Sequence, residues 1–213
     1  MPNQASENFF PGNTDLGESY EQKGRFASYW HQIDEITRLD PRSCLEIGVG
    51  TRFVATYLRL RRPQMQLSTL DINPELQPDL VGSVLDIPCE DQAFDVSSCC
   101  QVLEHLPFDD FLPALRELKR VTRSKLVLSL PDLRRRYPLL VKIPKLPEVR
   151  VLLELPQLFP QKWEFNGEHH WNIGVRDYPL ERILEAFDVV GLRLEKTYCV
   201  FEFPWHRFFV LGK

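Results

Sequence analysis

The stretch Ser43-Cys44-Leu45-Glu46-Ile47-Gly48-Val49-Gly50-Thr51 restricts this chain more than any other part of it. Leu45 and Ile47, flanked by small residues, suit a strand buried on both faces. Gly48 and Gly50 allow backbone angles and a closeness of approach that a Cβ would obstruct. From Arg52 onward the apolar residues Phe53, Val54, Tyr57 and Leu58 recur at helical spacing. Strand, glycine turn and helix in that order put the turn at the carboxyl end of a first strand, where open α/β sheets bind their ligands.

The rest of the chain repeats that alternation. Residues 1–23 read as an irregular arm, and Phe26, Tyr29, Trp30, Ile33 and Ile36 mark a helix that Asp40-Pro41 stops. Strands are expected at Gln66–Asp71, Leu80–Ser83, Phe94–Cys99 and Lys125–Leu130, with a helix carrying Leu112, Leu115 and Leu118 before the last of these. Between 131 and 176 the pattern breaks into a proline-rich insertion that holds Arg134-Arg135-Arg136, two apolar pieces (Leu139–Val141 and Val151–Leu153) and the cluster Trp163 to Trp171. It is read as irregular, and a lid, a dimer contact and a surface anchor all remain open. A helix from Asp177-Tyr178-Pro179 and strands at Leu192–Tyr198 and Arg207–Leu211 close the chain. The link between those two strands is too short for a parallel crossover, so they are expected to be antiparallel.

At 213 residues, 24–213 is expected to be a single domain. A formal charge of -4 disfavours nucleic acid, whose binding draws on lysine and arginine neutralising phosphates. Cys44, Cys89, Cys99, Cys100 and Cys199 contain no CxxC pair and read as reduced, packed thiols. The polar stretch Met1–Asp15 lacks the apolar core of a signal peptide, and no apolar run approaches a membrane span. A cytoplasmic setting without membrane contact is the expectation; oligomeric state is left open.

The glycine turn departs from the dinucleotide fingerprint G-x-G-x-x-G, because Phe53 stands where the third glycine would open the helix. Taken in order, Leu45-Glu46-Ile47-Gly48-Val49-Gly50, Leu70-Asp71, Gly82-Ser83-Val84-Leu85-Asp86-Ile87-Pro88, Phe94-Asp95-Val96 and Gln101-Val102-Leu103-Glu104-His105-Leu106 resemble the successive motifs of class I S-adenosylmethionine-dependent methyltransferases, in the branch called methyltransferase domain 11. The resemblance covers roughly Pro41 to Leu130. Arg52 stands where many members have a third glycine.

That resemblance implies a Rossmann-like, doubly wound α/β fold, with a mostly parallel seven-stranded sheet whose last strand is antiparallel. It implies S-adenosyl-L-methionine as cofactor and a small-molecule methyl acceptor. Carried over residue by residue, Gly48 and Gly50 would let the methionine part lie against backbone, and Glu46 would receive its ammonium group. Asp71 would accept the ribose hydroxyls and Ile72 would cover an adenine face. Asp86 and the Ile87 backbone N–H would hold the adenine edge, and Gln101 would line the cleft near the sulfonium. Glu46 and Asp71 also have a bland reading as helix caps or turn acids.

No catalytic residue is assigned. His105, His169 and His170 are candidates for a general base, since imidazole titrates near neutral pH, and a structural role is equally open to each. Glu104 is a further candidate for contact with the acceptor. No metal is expected, because no nearby Cys or Asp completes a ligand set around His169-His170. The arginine triplet reads as a solvated basic face or a guide for an acidic acceptor. Two other functions stay open: a catalytically silent binding or scaffold protein, and a nucleotide-dependent oxidoreductase on the same sheet.

Overall fold

The glycine turn follows β1 (Ser43–Ile47) and leads into α2 (Phe53–Arg61), as its residue pattern demands. The structure is a computed structural model and describes residues 22–213; the expected arm lies almost wholly outside the described residues. Before β1 runs α1 (Lys23–Leu39), which ends where Asp40 turns left-handed at φ 46° and Pro41 blocks continuation. After α2 come β2 (Gln66–Asp71), the two-residue β3 (Leu80–Val81), β4 (Phe94–Cys100), α3 (Phe111–Val121) and β5 (Thr122–Pro131). Pro113 sits in the first turn of α3, where its missing N–H costs no helical bond. The chain then continues through β6 (Arg136–Val141), β7 (Val149–Glu154), α4 (Leu180–Val189), β8 (Arg193–Cys199) and β9 (His206–Gly212).

Seven strands form one sheet in the order β3-β2-β1-β4-β5-β9-β8. All pairs from β3 to β5 are parallel, while β9 runs antiparallel to both β5 and β8. The doubly wound, mostly parallel sheet with an antiparallel last strand is therefore present. The register is what matters for a site. Ile47 lies opposite Leu70 on one side and Cys99 on the other, and Cys100 lies opposite Ser129, so neighbouring strands end along one rim.

Strand side chains alternate between the two faces, and two apolar layers follow from that alternation. Leu126, Leu128, Leu130, Phe209 and Leu211 pack with α3 and α4 through Leu115, Leu118, Ile183 and Phe187. Val127 and Phe208 pack with α1 and α2 through Ile36, Val54 and Leu58. Each such side chain contributes about 1.5–3 kcal/mol on leaving water, so the sheet is held from both faces.

The 131–176 insertion is less irregular than its prolines suggest. Strands β6 and β7 pair antiparallel from Arg136 opposite Glu154 to Val141 opposite Val149, as a separate two-stranded sheet. Tyr137, Leu139, Val141, Val151 and Leu153 are exposed there. With neither face buried, no period-two polarity pattern announces the strands, and Pro138 is tolerable because each strand of a two-stranded sheet is an edge. The far end of the insertion is core. Trp171 is fully buried, gives its indole N–H to the Leu106 carbonyl at 3.0 Å and meets Phe108 and Phe111 edge to face.

The base of the hairpin is tied down by charge. Asp132, buried at the end of β5, accepts from Arg134 Nη2 at 2.9 Å, Arg136 Nη2 at 2.9 Å and Arg207 Nε at 2.7 Å. Burial opposes its ionisation, but the three guanidinium donors outweigh that and hold the carboxyl at about 2. Two of the three arginines in the basic triplet are thus committed to the fold, and Arg135 alone of them is exposed. Neither part of the reading as a free basic face survives for Arg134 and Arg136. Asp132→Asn should cost about 3–5 kcal/mol in a denaturant titration, because it leaves buried guanidinium groups without their counter-charge. A loss within experimental error would show that the knot does not hold the hairpin base.

Candidate active site

Along the carboxyl rim of the sheet lies a cavity of about 700 Å³, lined from the glycine turn, the ends of β2 and β4, residues 82–84, the start of α1 and residues 168–170. Gly48 and Gly50 have φ of 79° and 48°, so both glycines occupy the left-handed region that the turn requires. The Gly48 N–H donates to the Leu70 carbonyl at 2.9 Å, which stitches the turn to β2. A Cβ on Gly48 would collide with Val102, so the bareness of that glycine serves packing within the protein as well as the cavity wall. Arg52 itself adopts φ 63° and gives its N–H to the Val49 carbonyl at 2.7 Å. The turn therefore closes without a third glycine, at the cost of about 1–2 kcal/mol of left-handed strain.

Glu46 lies on β1 with 2% exposure. One carboxylate oxygen receives a long hydrogen bond of 3.4 Å from Gln32 Nε2 of α1, while the other has no partner among the described residues. Burial pushes its carboxyl up to about 8, against smaller opposing effects of Arg59 and Gln32. An acid of this kind, at the cavity wall with one orphaned oxygen, is complementary to an incoming cation.

Asp71 ends β2 and also lines the cavity. Its Oδ2 accepts the Val49 N–H and its Oδ1 the Asn73 N–H, both at 2.9 Å. The turn-acid reading is thus correct as far as it goes, yet each carboxylate oxygen can accept again, so a diol facing it is still served. Ile72 next to it is exposed beside the same cavity and offers a flat apolar cover.

The two residues expected to hold an adenine edge lie outside this cavity. Asp86 is exposed and Ile87 buried, and neither lines the cavity; the Ile87 N–H is taken by Glu117 Oε2 at 3.1 Å. Gly82, Ser83 and Val84 line it instead. The turn in which the Asp86 N–H donates to the Ser83 carbonyl folds Asp86 and Ile87 away from the rim. A hydroxyl directly after Gly82 was the available signal. Gln101 does line the cavity, at the exit of β4 with φ 56°, and is held by its Nε2 donating to Ser129 Oγ at 3.1 Å.

All three histidine candidates reach the same cavity. His105 and His169 meet edge to face with centroids 4.9 Å apart, and His170 stacks on Phe165 at 4.3 Å. Burial lowers His105 to about 4 and moves His170 down as well, so both are neutral imidazoles at physiological pH. Glu104, fully buried in the turn after β4, stands beside them with neither oxygen hydrogen-bonded among the described residues, and burial raises its carboxyl to about 8. The expectation of no metal counted only Cys and Asp near His169-His170 in the chain; folding brings Glu104 there. Sequence reading also missed Gln32, Arg25 and His206 at the cavity, because two positions within a helix and the first residue of a strand carry no motif.

Residues 45–128 match the family model described as a methyltransferase domain. A search of curated proteins finds no match. Among solved structures, a SAM-dependent methyltransferase from Aquifex aeolicus is 13% identical with a TM-score of 0.59, covering 95% of this chain and 99% of that one. The 1,6-didemethyltoxoflavin-N1-methyltransferase of Burkholderia thailandensis, solved with 1,6-didemethyltoxoflavin and S-adenosylhomocysteine, is 12% identical at 0.59 over 92% and 80%. The cyclase SpnF is 16% identical at 0.61 over 91% and 85%. At such identities the likeness is one of fold.

Because its carboxyl is raised in the folded state, Glu46 favours folding below about pH 4.5 and loses that contribution as pH climbs towards 8. Glu46→Gln should therefore gain on wild type by roughly 2–4 kcal/mol between pH 5 and pH 8 in urea unfolding. Parallel pH profiles for the two proteins would mean that Glu46 is not a buried, unpaired acid.

Proposed function

We propose that this chain, whose residues 45–128 carry the methyltransferase domain and whose sheet has the class I methyltransferase architecture, is an S-adenosylmethionine-dependent methyltransferase acting on a small or medium-sized molecule. The observation that carries this reading is the pair of carboxylates, Glu46 and Asp71, on adjacent strands beside the Gly48–Gly50 turn, both lining the cavity, with one Glu46 oxygen unpartnered among the described residues. The residues present fit such a cofactor. Glu46 supplies an anion for its ammonium, Gly48 and Gly50 a bare wall, Asp71 acceptors for its hydroxyls and Ile72 an apolar cover. Ser83 and Val84 take the adenine edge in place of Asp86 and Ile87.

When bound, the cofactor supplies a methyl group on an already activated sulfonium. The protein's work is then mainly to hold the acceptor in line and exclude water, which accounts for large rate gains by itself. Gln101, fixed by Ser129, borders the reacting region, and His105, His169 and His170 line the acceptor side. The insertion at 131–176 belongs to the same domain in this reading and covers the acceptor, since Glu168, His169 and His170 come from it. A cytoplasmic setting is part of the proposal; no helix among the described residues is long and apolar enough to cross a membrane.

Calorimetry with S-adenosylhomocysteine tests this directly. Wild type should bind one equivalent, and Asp71→Ala should weaken binding more than tenfold, in line with losing a charged acceptor. Because Asp71 also anchors Val49 and Asn73, an unfolding curve should accompany the titration. A well-folded variant with unchanged affinity would remove Asp71 from the site, and wild type that does not bind would remove the function.

A further inference from the structure

The acids on the strand ends account for one side of the cavity and leave Glu104 unexplained. A fully buried carboxylate with two unpartnered oxygens is unfavourable unless something charged or hydrogen-bonding meets it. The Arg25 guanidinium acts on it electrostatically and a pair of imidazoles stands against it: one ligand atom each from Glu104, His105 and His169 lies within 4.8 Å of the others. Glu104 and His105 come from the turn after β4 and His169 from the insertion, so the cluster is made by folding.

The rings are oriented from behind. His105 Nδ1 lies 3.0 Å from the Glu168 backbone carbonyl, and His169 Nδ1 lies 2.9 Å from the Asn172 side-chain oxygen. A carbonyl oxygen only accepts, so His105 donates from Nδ1 to Glu168, and His169 donates from Nδ1 to Asn172 and offers its Nε2 as the ligand nitrogen. An imidazole whose rear N–H is held by an oxygen is the usual form of a metal-ligating histidine. Asn172, itself 1% exposed, stands behind His169.

We propose that Glu104, His105 and His169 form a binding site for a first-row divalent cation, such as Mn²⁺, Fe²⁺, Co²⁺ or Zn²⁺. One carboxylate and two imidazoles suit these ions better than Mg²⁺ or Ca²⁺, which take oxygen ligands. Three protein ligands leave coordination positions open to the cavity, and an ion so held binds and acidifies an oxygen ligand. An organic ammonium would answer the orphaned carboxylate but make no use of the His169 ring nitrogen. The ion site does not depend on the cofactor reading.

Mn²⁺ titrated into the full-length chain, followed by loss of the free-ion electron paramagnetic resonance signal and by calorimetry, tests the proposal. One ion per chain is expected, with affinity at least tenfold weaker in Glu104→Gln and in His169→Ala. Mn²⁺ should also raise the thermal midpoint of wild type and not that of the variants. If Glu104→Gln fails to fold, His169→Ala, at a partly exposed position, decides the matter. Absence of saturable binding, or equal binding by well-folded variants, would overturn the site. Titration of the same protein with S-adenosylhomocysteine in the presence of a chelator reads the cofactor proposal separately.

Discussion

The site depends on a matter of register: parallel strands that end together. Ile47, Leu70 and Cys99 are direct neighbours across three strands, so whatever follows each strand is delivered to one edge of the sheet. Parallel pairing needs helical crossovers, and those crossovers cover both faces with α1 and α2 on one side and α3 and α4 on the other. The carboxyl rim is where the strand ends, the glycine turn and the acids Glu46 and Asp71 come together. Glu46 shows the tension most clearly, being held in a nearly dry position that favours its protonated form.

Around that rim the protein commits its remaining polar groups in two ways. Asp132 is fully matched, with three guanidinium groups converging on it, and it anchors the insertion to β5 and β9. Glu46 and Glu104 are left partly or wholly unmatched inside the cavity. Satisfied charge holds the scaffold, and the acids left unsatisfied among the described residues line the cavity. The same division separates Trp171, locked into the core from the insertion, from the His169-His170 pair beside it that faces the cavity.

Most of the fold was legible because buried parallel strands are written as short apolar runs ending at glycine or an acid. The boundaries of β1 and β2, the stop at Pro41 and the antiparallel final pair all follow from local chemistry. The hairpin at 136–154 was not legible, since strands exposed on both faces show no alternation and prolines disguise them. Within the site, Glu46, Gly48, Gly50, Asp71, Ile72 and Gln101 line the cavity as the motifs implied, whereas Asp86 and Ile87 do not. A single hydrogen-bonded turn at Ser83–Asp86 decides that difference, and the Ser83 hydroxyl is its one sign in the sequence. Glu104 illustrates the opposite limit: its meaning comes from His169, far away in the chain, and only folding joins them.

The most direct measurement is a crystal structure of the full chain with S-adenosylhomocysteine. The expected result is density along the rim, with the amino group at Glu46, the amino-acid end over Gly48 and Gly50, and the ribose at Asp71. Density elsewhere, or a rim that stays filled only by solvent at saturating ligand, would contradict the assignment of this edge of the sheet as the cofactor site.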